Sequence, residues 1–454
     1  MVYTHASLGQ NPQRTHRFEP LRVEGRLPQD LRGTLVRTGP GIPERFGRRV
    51  RHAFEADGLM SAVRLADGHA WGAVQPVRGP GWLEEEEAGR PLYSTAAGWL
   101  DRLRAVARGH GKATGNTSMW ASNGALFALM EGSLPVRIDP HTLDTLGTDD
   151  LRGVIPAAFS AHPHRVAALD TSFNFGCRFG RTMQVDFFAL PDRGHARRLT
   201  TVEVPFNAMV HDFVATETHL MLLVCPAKLR PVRAILALGS FDTWFDWRPQ
   251  DGTLAIVVPL ADPEASLQFP IEPFFFFHTA NAWSDGSQLF VDLARYPNLD
   301  SLAEIGTETE TAAPPMLHRG RLDGSTGRWQ SDATAADPIE FPAVHPRVSG
   351  SRHQVVFAVT ESTTRGHRGL ARVTEGTTEV WMPPPAEQAS EPVLVPRGGD
   401  EDDVWVLSLV HDDAVDRSYL AVLDGAHLSD GPVAKVWFEQ TVPITFHGTW
   451  LPAA

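Results

Sequence analysis

The sequence predicts a large all-β protein, and two observations carry that prediction. Short runs rich in Val, Leu, Phe and Ala recur along the chain, such as GTLVRT, HLMLLV, QLFVDLA and DVWVLSLV. Most are bounded by Gly, Pro, Asp or Asn, as β-strands are. The chain also contains 39 glycines and 35 prolines, the turn chemistry that a barrel, sandwich or propeller needs. No regular repeat accompanies the runs, so the pattern alone sets no blade count.

The chain is long for one domain but shows no internal boundary. It has 454 residues, of which 42% are hydrophobic and 21% charged, a composition that fits a sizeable core. No Gly-rich or charged run has the character of a linker. Because large all-β architectures run long as one unit, we expect a single domain spanning residues 1–454.

Charge, cysteine count and hydropathy exclude several classes of protein. The formal net charge is −13, which argues against nucleic-acid binding because that needs a basic surface. Cys177 and Cys225 are too few for a disulfide framework or a thiolate zinc site. The first residues lack the apolar region of a signal peptide, and no run approaches about 18 apolar residues. We therefore expect a cytoplasmic protein with no membrane-spanning helix and no obligate protein partner.

Two segments depart from the strand pattern. Residues 95–108 place Trp99, Leu103 and Val106 at helical spacing, and residues 226–247 combine basic residues with large apolar ones. Each segment is interpreted either as a helix packed on the core or as a surface that dips into a lipid bilayer. Basic residues beside exposed Trp and Phe suit that interface, so residues 226–247 are a candidate for peripheral membrane contact.

Four of the 19 histidines stand in apolar, strand-like surroundings: His162 in FSAHPHR, His211 in MVHDFV, His278 in FFFFHTANAW and His447 in ITFHGTW. Burying an unpaired polar group costs a few kcal/mol, so a histidine in such a setting must be hydrogen-bonded or metal-bound. Their spacing matches no local zinc motif, but a closed radial architecture brings distant strands to one axis. Taken singly, a histidine is more often a surface or satisfied core residue.

The chain resembles the carotenoid cleavage oxygenase family nearly from end to end. GRLPQDLRGTLVRTGPG is similar to the family's N-terminal motif, and HAFEADGLMSAVRL is similar to its FDGDGM segment. Further matches, in order, are GNTSMW, ALMEGSLPVRIDPHTLDTLG, SAHPHR, MVHDF, HTANAW, IEFP, SEPVLVPR, EDD and FHGTW. So many ordered motifs make chance agreement negligible.

The resemblance implies a seven-bladed β-propeller with a helical or loop cap over its top face. It also implies one Fe(2+) per chain, held on the propeller axis by four histidines. The matching positions are His162, His211, His278 and His447. His162 is preferred to its neighbour His164 because the family's ligand comes first in AHPH.

The resemblance also places three glutamates behind the ligands: Glu131 in LMEGS, Glu340 in IEFP and Glu391 in SEPV. A carboxylate that accepts the distal N–H of a metal-bound imidazole fixes its tautomer and orientation. Outside the motifs each glutamate would more readily be a surface residue, and the pairing of glutamates with histidines stays open. Thr117 in GNTSMW aligns with a position beside the open coordination site, where it would restrict that site and steer dioxygen. The alternative is an ordinary strand threonine.

The donor set narrows the choice of metal. Four imidazoles without thiolate suit iron, zinc, copper or nickel. Zinc offers no redox chemistry, so iron(II) is preferred on resemblance and reaction together.

Apolar residues near the motifs indicate the substrate class. Met130 stands where lignostilbene-cleaving members tend to carry a lysine that binds a phenolic oxygen, so an apolar hydrocarbon is favoured. Phe274, Phe277 and Trp283 are candidates for the lining of an apolar tunnel, with core packing as the alternative for each. The same two interpretations apply to Trp120, Phe159, Phe275 and Phe276. Ser284 departs from the family pattern, which leaves the substrate open.

The leading hypothesis is a non-haem iron(II) dioxygenase that cleaves a C=C double bond of a carotenoid or apocarotenoid to two carbonyl products. Its partners would be an apolar alkene and O2. Cleavage of a stilbene or phenylpropenoid is the alternative within the same class. A non-oxidative isomerase or lipid-binding protein on the same scaffold would consume no dioxygen. A calcium-bound propeller would need several converging carboxylates, which four apolar histidines argue against.

Overall fold

The computed structural model describes residues 9–108, 111–307, 311–362 and 367–453. Strands account for 48% of the residues and helices for 12%, which confirms the all-β prediction. The apolar runs quoted above form strands because Val, Leu and Phe pack well on a pleated surface buried on both faces. The ten residues Gly33–Ile42, which contain the run GTLVRT, are all buried.

The first half of the chain forms the strands β1 (His16–Pro20), β2 (Arg22–Gly25), β3 (Gly33–Ile42), β4 (Glu44–Arg45), β5 (Arg48–Arg49), β6 (Asp57–Ala66), β7 (His69–Pro76), β8 (Ser118–Ser122), β9 (Ala125–Leu129), β10 (Val136–Ile138), β11 (Thr145–Thr148), β12 (His164–Val166), β13 (Thr171–Arg178), β14 (Met183–Pro191), β15 (Arg197–Val204), β16 (Val214–Ala215), β17 (His219–Val224) and β18 (Ala227–Leu229). The second half forms β19 (Phe245–Trp247), β20 (Thr253–Pro259), β21 (Leu267–Ile271), β22 (Phe275–Asp285), β23 (Gln288–Tyr296), β24 (Met316–Asp323), β25 (Trp329–Ala343), β26 (Val356–Glu361), β27 (Arg368–Thr374), β28 (Thr377–Trp381), β29 (Glu387–Ala389), β30 (Val393–Pro396), β31 (Val404–Asp412), β32 (Arg417–Asp424), β33 (Pro432–Trp437) and β34 (Gly448–Pro452).

The strands form antiparallel sheets whose members are mostly neighbours in sequence. The larger sheets run β1-β7-β6-β3-β34, β11-β10-β9-β8, β12-β13-β14-β15, β16-β17-β20-β21, β22 through β28 in order, and β2-β33-β32-β31-β29 with β30 also on β31; β4-β5 and β18-β19 form two small hairpins. Such meanders need only short turns, which fits the abundance of glycine and proline.

The seven-stranded sheet consists of two four-stranded meanders that share β25. The first part of this 15-residue strand pairs with β24, and its last residues pair with β26. The register shifts between Glu340 and Ala343, and Phe341 there has a φ of 50°, a conformation that bulky residues rarely adopt. Counted as two meanders, this sheet brings the described residues to seven antiparallel sheets of four or more strands.

The two ends of the chain are tied together twice. The C-terminal strand β34 pairs with β3 in the first sheet, from Gly33 opposite Pro452 to Arg37 opposite Gly448. The N-terminal strand β2 pairs with β33 in the last sheet. Each terminal sheet therefore contains a strand from the opposite end of the chain.

The hydrophobic core lies between successive sheets. One large cluster packs Met221 and Leu223 of β17 against Phe275 of β22 and Val291 of β23. Another joins Leu35 of β3 to strands of the last sheet. The phenylalanine run before His278 thus contributes largely to the core.

Three α-helices occur in the described residues: α1 (Pro80–Ala88), α2 (Trp99–Ala107) and α3 (Pro231–Ile235). The helix predicted within residues 95–108 is confirmed as α2, but the interpretation as packing on the core is wrong. Trp99 is 64% exposed and Leu103 40% exposed. Among the described residues, no helix combines the length and hydropathy needed to span a membrane.

Residues 226–247 do not form the single helix that one interpretation required. The short α3 ends at Ile235, and Ala237 just beyond it has a φ of 45°, in the left-handed region that ends a helix. The flanking strands β18 and β19 pair with each other, placing Ala227 opposite Trp247. In the second half of the segment, Phe241, Phe245 and Trp247 pack against the core but stay partly exposed.

Candidate metal centre

Four imidazole rings that are far apart in sequence meet at one point. The ligand-type nitrogens of His162, His211, His278 and His447 all lie within 4.8 Å of one another. His278 lies in β22, and the other three precede β12, β16 and β34 in turn. The residues therefore come from four different sheets, and the structure brings together the whole predicted set.

The rings face one another through their Nε2 atoms. Nε2 of His162 lies 3.0 Å from Nε2 of His211, and Nε2 of His278 lies 3.1 Å from Nε2 of His447. The planes of His278 and His447 are tilted by 73°, and those of His162 and His447 by 82°. The rings thus radiate around a common point rather than stacking.

Three of the four histidines are backed by a glutamate at the opposite ring nitrogen. The Nδ1–oxygen distances are 2.8 Å for His211 and Glu131, 2.5 Å for His278 and Glu340, and 2.6 Å for His447 and Glu391. The first pair is less well aligned for a hydrogen bond than the other two, which have good geometry. The structure thereby pairs each predicted glutamate with one histidine. No carboxylate among the described residues lies within ion-pair distance of His162.

The tautomers that these pairs favour suit a positive charge between the rings. A carboxylate accepts a proton from Nδ1, which leaves the lone pair on Nε2. In His278 and His447 both lone pairs then point at each other across 3.1 Å, an arrangement that is repulsive unless a positive charge lies between them. The donor set thus fits a metal ion held by four neutral imidazoles.

The two nitrogen separations also bear on the kind of metal site. With metal–nitrogen distances of about 2.1 Å, right-angled ligands are about 3.0 Å apart and tetrahedral ligands about 3.4 Å. The separations of 3.0 and 3.1 Å in these two pairs of rings are close to the right-angled value.

Burial and neighbouring charges set the protonation of the site. Burial, together with the neighbouring imidazoles, holds the pKa of His162 well below its ordinary value. Burial also lowers the pKa of His447, despite the opposing effect of Glu391. For His278 burial lowers the pKa but the Glu340 carboxylate outweighs it, and the net shift is upward.

The three glutamates stay ionised. Burial alone would raise the pKa of each carboxyl, but the adjacent imidazole lowers it further, so the net pKa of Glu131, Glu340 and Glu391 lies below the usual value. At neutral pH the site therefore holds carboxylates behind imidazoles.

Glu340 is held from two further directions. The Tyr296 hydroxyl donates to its Oε1 at 3.0 Å, and the backbone N–H of Phe341 donates to its Oε2 at 2.5 Å. The ring of Phe341 stacks on His278, with centroids 4.7 Å apart. Glu340 and Phe341 therefore both contact His278, one through its carboxylate and the other through its ring. The left-handed backbone conformation occurs at Phe341, the second of these two neighbours.

Glu391 is held by a buried arginine that the sequence analysis missed. Arg37, 1% exposed, lies 3.1 Å from Glu391 Oε2 and also donates to the Phe446 carbonyl at 2.8 Å. Its Nε donates to Thr445. The available signal was a single charged residue inside the otherwise apolar run GTLVRT, which we interpreted only as a strand.

Thr117 connects Glu131 to His447. Its hydroxyl lies 3.4 Å from Glu131 Oε2, and its carbonyl accepts the His447 N–H at 3.1 Å. Thr117 also lines the cavity at the four rings. These contacts place Thr117 beside the candidate metal ligands.

A small, mostly apolar cavity of about 40 Å³ opens at the imidazoles. It is lined by Phe54, Thr117, His211, Phe277, His278, Tyr296, Ile305, Glu340, Phe341, Phe446 and His447. Sequence reasoning singled out Phe277 and missed Phe54, Ile305, Phe341 and Phe446 as lining residues. Their motifs gave no signal of which face of the backbone each ring occupies.

The other residues proposed for substrate contact lie elsewhere. Phe274 stacks on Trp329 at 5.8 Å, and Trp283 stacks on Phe290 at 5.0 Å. Met130 turns its sulfur to the N–H of Gly132. None of the three lines the cavity, because side chains alternate along a strand and a neighbour in sequence often faces the opposite way. Trp120 and Phe159 pack together in the core.

His164 takes a different role from His162. Its Nε2 donates to Asp212 Oδ1 at 2.7 Å, and it is absent from the group of converging nitrogens. The preference for His162 as the candidate ligand therefore agrees with the geometry.

The sequence profile of the retinal pigment epithelial membrane protein family matches residues 10–452. The chain belongs to this family. It is the carotenoid cleavage oxygenase family that the motifs had indicated. Membership over nearly the whole chain explains why the ordered motifs converge on one site.

Individual relatives span the chain at modest identity. The apocarotenoid-15,15'-oxygenase of Synechocystis is 29% identical and aligns with 94% of this chain and 92% of its own length. The isoeugenol monooxygenase of Pseudomonas putida is 25% identical, covering 95% of this chain and 94% of its own. A crystal structure of cobalt-substituted apocarotenoid oxygenase from Synechocystis superposes with a TM-score of 0.89 and 27% identity, covering 98% of both chains.

Proposed function

We propose that this protein is a non-haem iron(II) dioxygenase that cleaves one C=C double bond of an apolar polyene of the carotenoid or apocarotenoid class. The observation that carries the proposal is the set of four converging imidazoles at an apolar cavity, three of them backed by carboxylates. Family membership and similarity to an apocarotenoid oxygenase supply the reaction class.

His162, His211, His278 and His447 would hold the metal. Iron(II) is preferred because a redox-active ion is needed and neutral nitrogen ligands suit it. A related structure with cobalt in place of the native metal supports a divalent transition ion at such a site. When bound, iron supplies the activation of dioxygen.

The remaining residues fix the ligands and keep the site dry. Glu131, Glu340 and Glu391 hold three rings in the tautomer that presents Nε2 to the metal. Apolar side chains around the four imidazoles exclude water and can make van der Waals contacts with a hydrocarbon substrate. We assign the lining role to Phe54, Phe277, Ile305, Phe341 and Phe446.

The reaction is balanced without an acid–base side chain. One alkene and one O2 give two carbonyl compounds, with one oxygen atom in each, so no external reductant is needed. Thr117 lines the cavity beside the rings, and we propose that it limits the space available to dioxygen.

Cleavage of an aryl alkene such as isoeugenol or a stilbene is the second candidate. The observation that favours it is the similarity to isoeugenol monooxygenase. Against it, the cavity offers few partners for a phenolic oxygen: the Tyr296 hydroxyl already donates to Glu340. We therefore place the polyene first.

The deciding experiment is product analysis under ¹⁸O2. Iron-loaded protein is incubated separately with β-apo-carotenals, hydroxystilbenes and isoeugenol, and carbonyl products are identified by mass spectrometry. We expect two labelled aldehydes from an apocarotenal and little turnover of the aryl alkenes. Turnover of an aryl alkene alone would transfer the assignment to the second candidate. Isomerised polyene without oxygen consumption would reject the oxygenase altogether.

We further propose that the seven sheets are the blades of one propeller that forms a single domain over residues 1–454. The pairing of β34 with β3 and of β2 with β33 supports this, because such pairings close a ring of sheets. The segments bearing α1, α2 and α3 would form the cap. A hydrogen bond from Arg102 of α2 to the Ala237 carbonyl joins two of them.

An exposed apolar patch on this cap is proposed to contact a membrane. It consists of Trp99, Leu100, Leu103, Val232, Ile235, Leu236 and Leu238, all at least 38% exposed. Phe241, by contrast, turns inward and packs on the cavity residue Phe54, with centroids 5.5 Å apart. The patch therefore lies close to the cavity, where a substrate dissolved in lipid would be collected.

Liposome co-sedimentation tests the patch. The substitutions Ile235→Ser and Leu238→Ser together should reduce the bound fraction several-fold, because each removes an exposed apolar side chain. Leu146→Ser with Leu267→Ser is the matched control, since those leucines are 57% and 45% exposed on other parts of the surface. Equal binding by both double variants would reject the patch.

A further inference from the structure

One buried carboxylate outside the three glutamates contacts several ligand-bearing segments at once. Asp212 is 1% exposed and accepts four hydrogen bonds. The donors are His164 Nε2 at 2.7 Å, Phe213 N at 2.7 Å, Thr279 N at 2.8 Å and Thr279 Oγ1 at 2.7 Å. Both oxygens are thereby satisfied by donors that approach from three parts of the chain.

The places of these donors in the sequence connect them to the metal centre. Asp212 directly follows His211, and Thr279 directly follows His278. His164 lies two residues beyond His162 and begins β12. A single carboxylate therefore joins the segments that carry three of the four converging rings.

His162 is the ring for which this connection matters most. The other three each have a glutamate at Nδ1, and His162 has none among the described residues. Its own segment is instead held two residues later, through the bond from His164 to Asp212. A ligand without a partner at its distal nitrogen depends on its backbone for orientation.

We propose that Asp212 is a positioning residue that, through His164 and Thr279, sets the place of His162 relative to His211 and His278. This inference rests on the proposed metal site and extends it. Asp212 would act by holding these segments in fixed relative positions. A buried carboxylate that accepts four hydrogen bonds cannot rotate freely, and hydrogen bonds to a charged group are stronger than those between neutral groups.

The test is Co(II) binding by the metal-depleted protein, followed by the visible absorption of bound cobalt. Asp212→Asn replaces one carboxylate oxygen with an amide N–H₂, which cannot accept a hydrogen bond. The variant therefore loses the hydrogen bonds either from His164 and Phe213 or from Thr279. We expect Co(II) affinity to fall about 10- to 100-fold and the ligand-field bands to shift, because a displaced imidazole changes the coordination geometry.

Variants of the donors separate positioning from folding. His164→Ala should weaken Co(II) binding in the same direction, and His164→Gln, whose amide can still donate to Asp212, should restore part of the loss. Thr279→Val removes one donor and should have a smaller effect. These variants also carry the test if Asp212→Asn does not fold.

Asp186→Asn is the matched control for loss of a buried carboxylate. Asp186 is also 1% exposed and is held by Arg178 at 2.7 and 3.0 Å, away from the four histidines. It should lower the melting temperature of the metal-free protein while leaving the cobalt spectrum unchanged. The proposal is overturned if Asp212→Asn and His164→Ala bind Co(II) with wild-type affinity and spectrum. Failure of the wild-type protein to bind Co(II) would instead overturn the proposed function.

Discussion

Nε2 of His278 lies 3.1 Å from Nε2 of His447, while Nδ1 of each ring faces its own buried glutamate. The two carboxylates fix the protons on the outer nitrogens, so the inner nitrogens meet as lone pairs. Together with His162 and His211, this pair forms a group of converging nitrogens that could hold a metal ion. The same arrangement predicts how substitutions at these residues change metal binding and stability.

Loss of one imidazole should abolish metal binding. His211→Ala removes a ligand and opens a space beside Glu131, whose charge is left without its partner. We expect iron content, measured by elemental mass spectrometry, to fall from about one per chain to below about a tenth, with turnover lost in parallel. His219→Ala, on the next strand of the same region, is the control and should keep its iron. Full iron content in His211→Ala would contradict the ligand assignment.

The glutamates should affect metal affinity through their negative charge and the orientation they impose on the histidine rings, not through their size. Glu340→Gln preserves shape but replaces the acceptor at His278 Nδ1 with an amide. Metal affinity should fall by about 10- to 100-fold. Glu387→Gln is a close control, because Glu387 is also a buried carboxylate that accepts from a buried tyrosine, Tyr419. It should lower thermal stability and leave metal affinity unchanged; equal losses of affinity in both variants would remove the special role of Glu340.

The metal-free protein should be less stable in mild acid. The pKa values of His162 and His447 are lowered on folding, so the unfolded chain takes up more protons as the pH falls through 6.5 and unfolding is favoured. His278, with a raised pKa, acts oppositely, stabilising below 6.5 and losing this effect as the pH rises through its folded value. The pKa values of His52, His219, His318 and His345 are also lowered by burial and act in the same direction as those of His162 and His447, so we expect a net loss of stability.

Calorimetry of chelator-treated protein tests this pH dependence. The melting temperature at pH 5.5 should be lower than at pH 7.5 by at least about 2 °C. His162→Gln should reduce this difference, whereas substitution of the exposed His427 by Gln should not. A melting temperature that rises on acidification would show that His278 dominates instead.

The sequence predicted which residues form the candidate metal site, but not which of them contact one another. His162, His211, His278 and His447 were predicted as ligands because their motifs resemble those of the carotenoid cleavage oxygenase family. Glu340 was found in the same way, yet its pairing with His278 depends on the return of β25 to β22, a contact across 62 residues. Local pattern contains no information on such a contact.

The sequence also did not show which apolar side chains face the cavity. Phe277 lines the cavity while Phe274 stacks on Trp329, although both belong to one run of four phenylalanines. A strand exposes alternate residues on opposite faces, and which face meets the cavity is set by packing of the neighbouring sheets. Phe54, far away in sequence, reaches the cavity from a short 3-10 helix (Ala53–Glu55) and not from a strand.

Removal of Arg37 should destabilise the protein and the site together. Arg37→Met leaves the Glu391 carboxylate without its buried cation, a loss of about 3–5 kcal/mol, to be measured by urea unfolding of metal-free protein. Adding Glu391→Gln should restore part of the stability, because the unpaired charge disappears, but not metal affinity, because the substitution also removes the carboxylate that accepts from His447 Nδ1. Arg319→Met, which removes the cation paired with the buried Asp292, is the control and should lose stability while keeping affinity. Wild-type affinity in Arg37→Met would confine this arginine to a structural role.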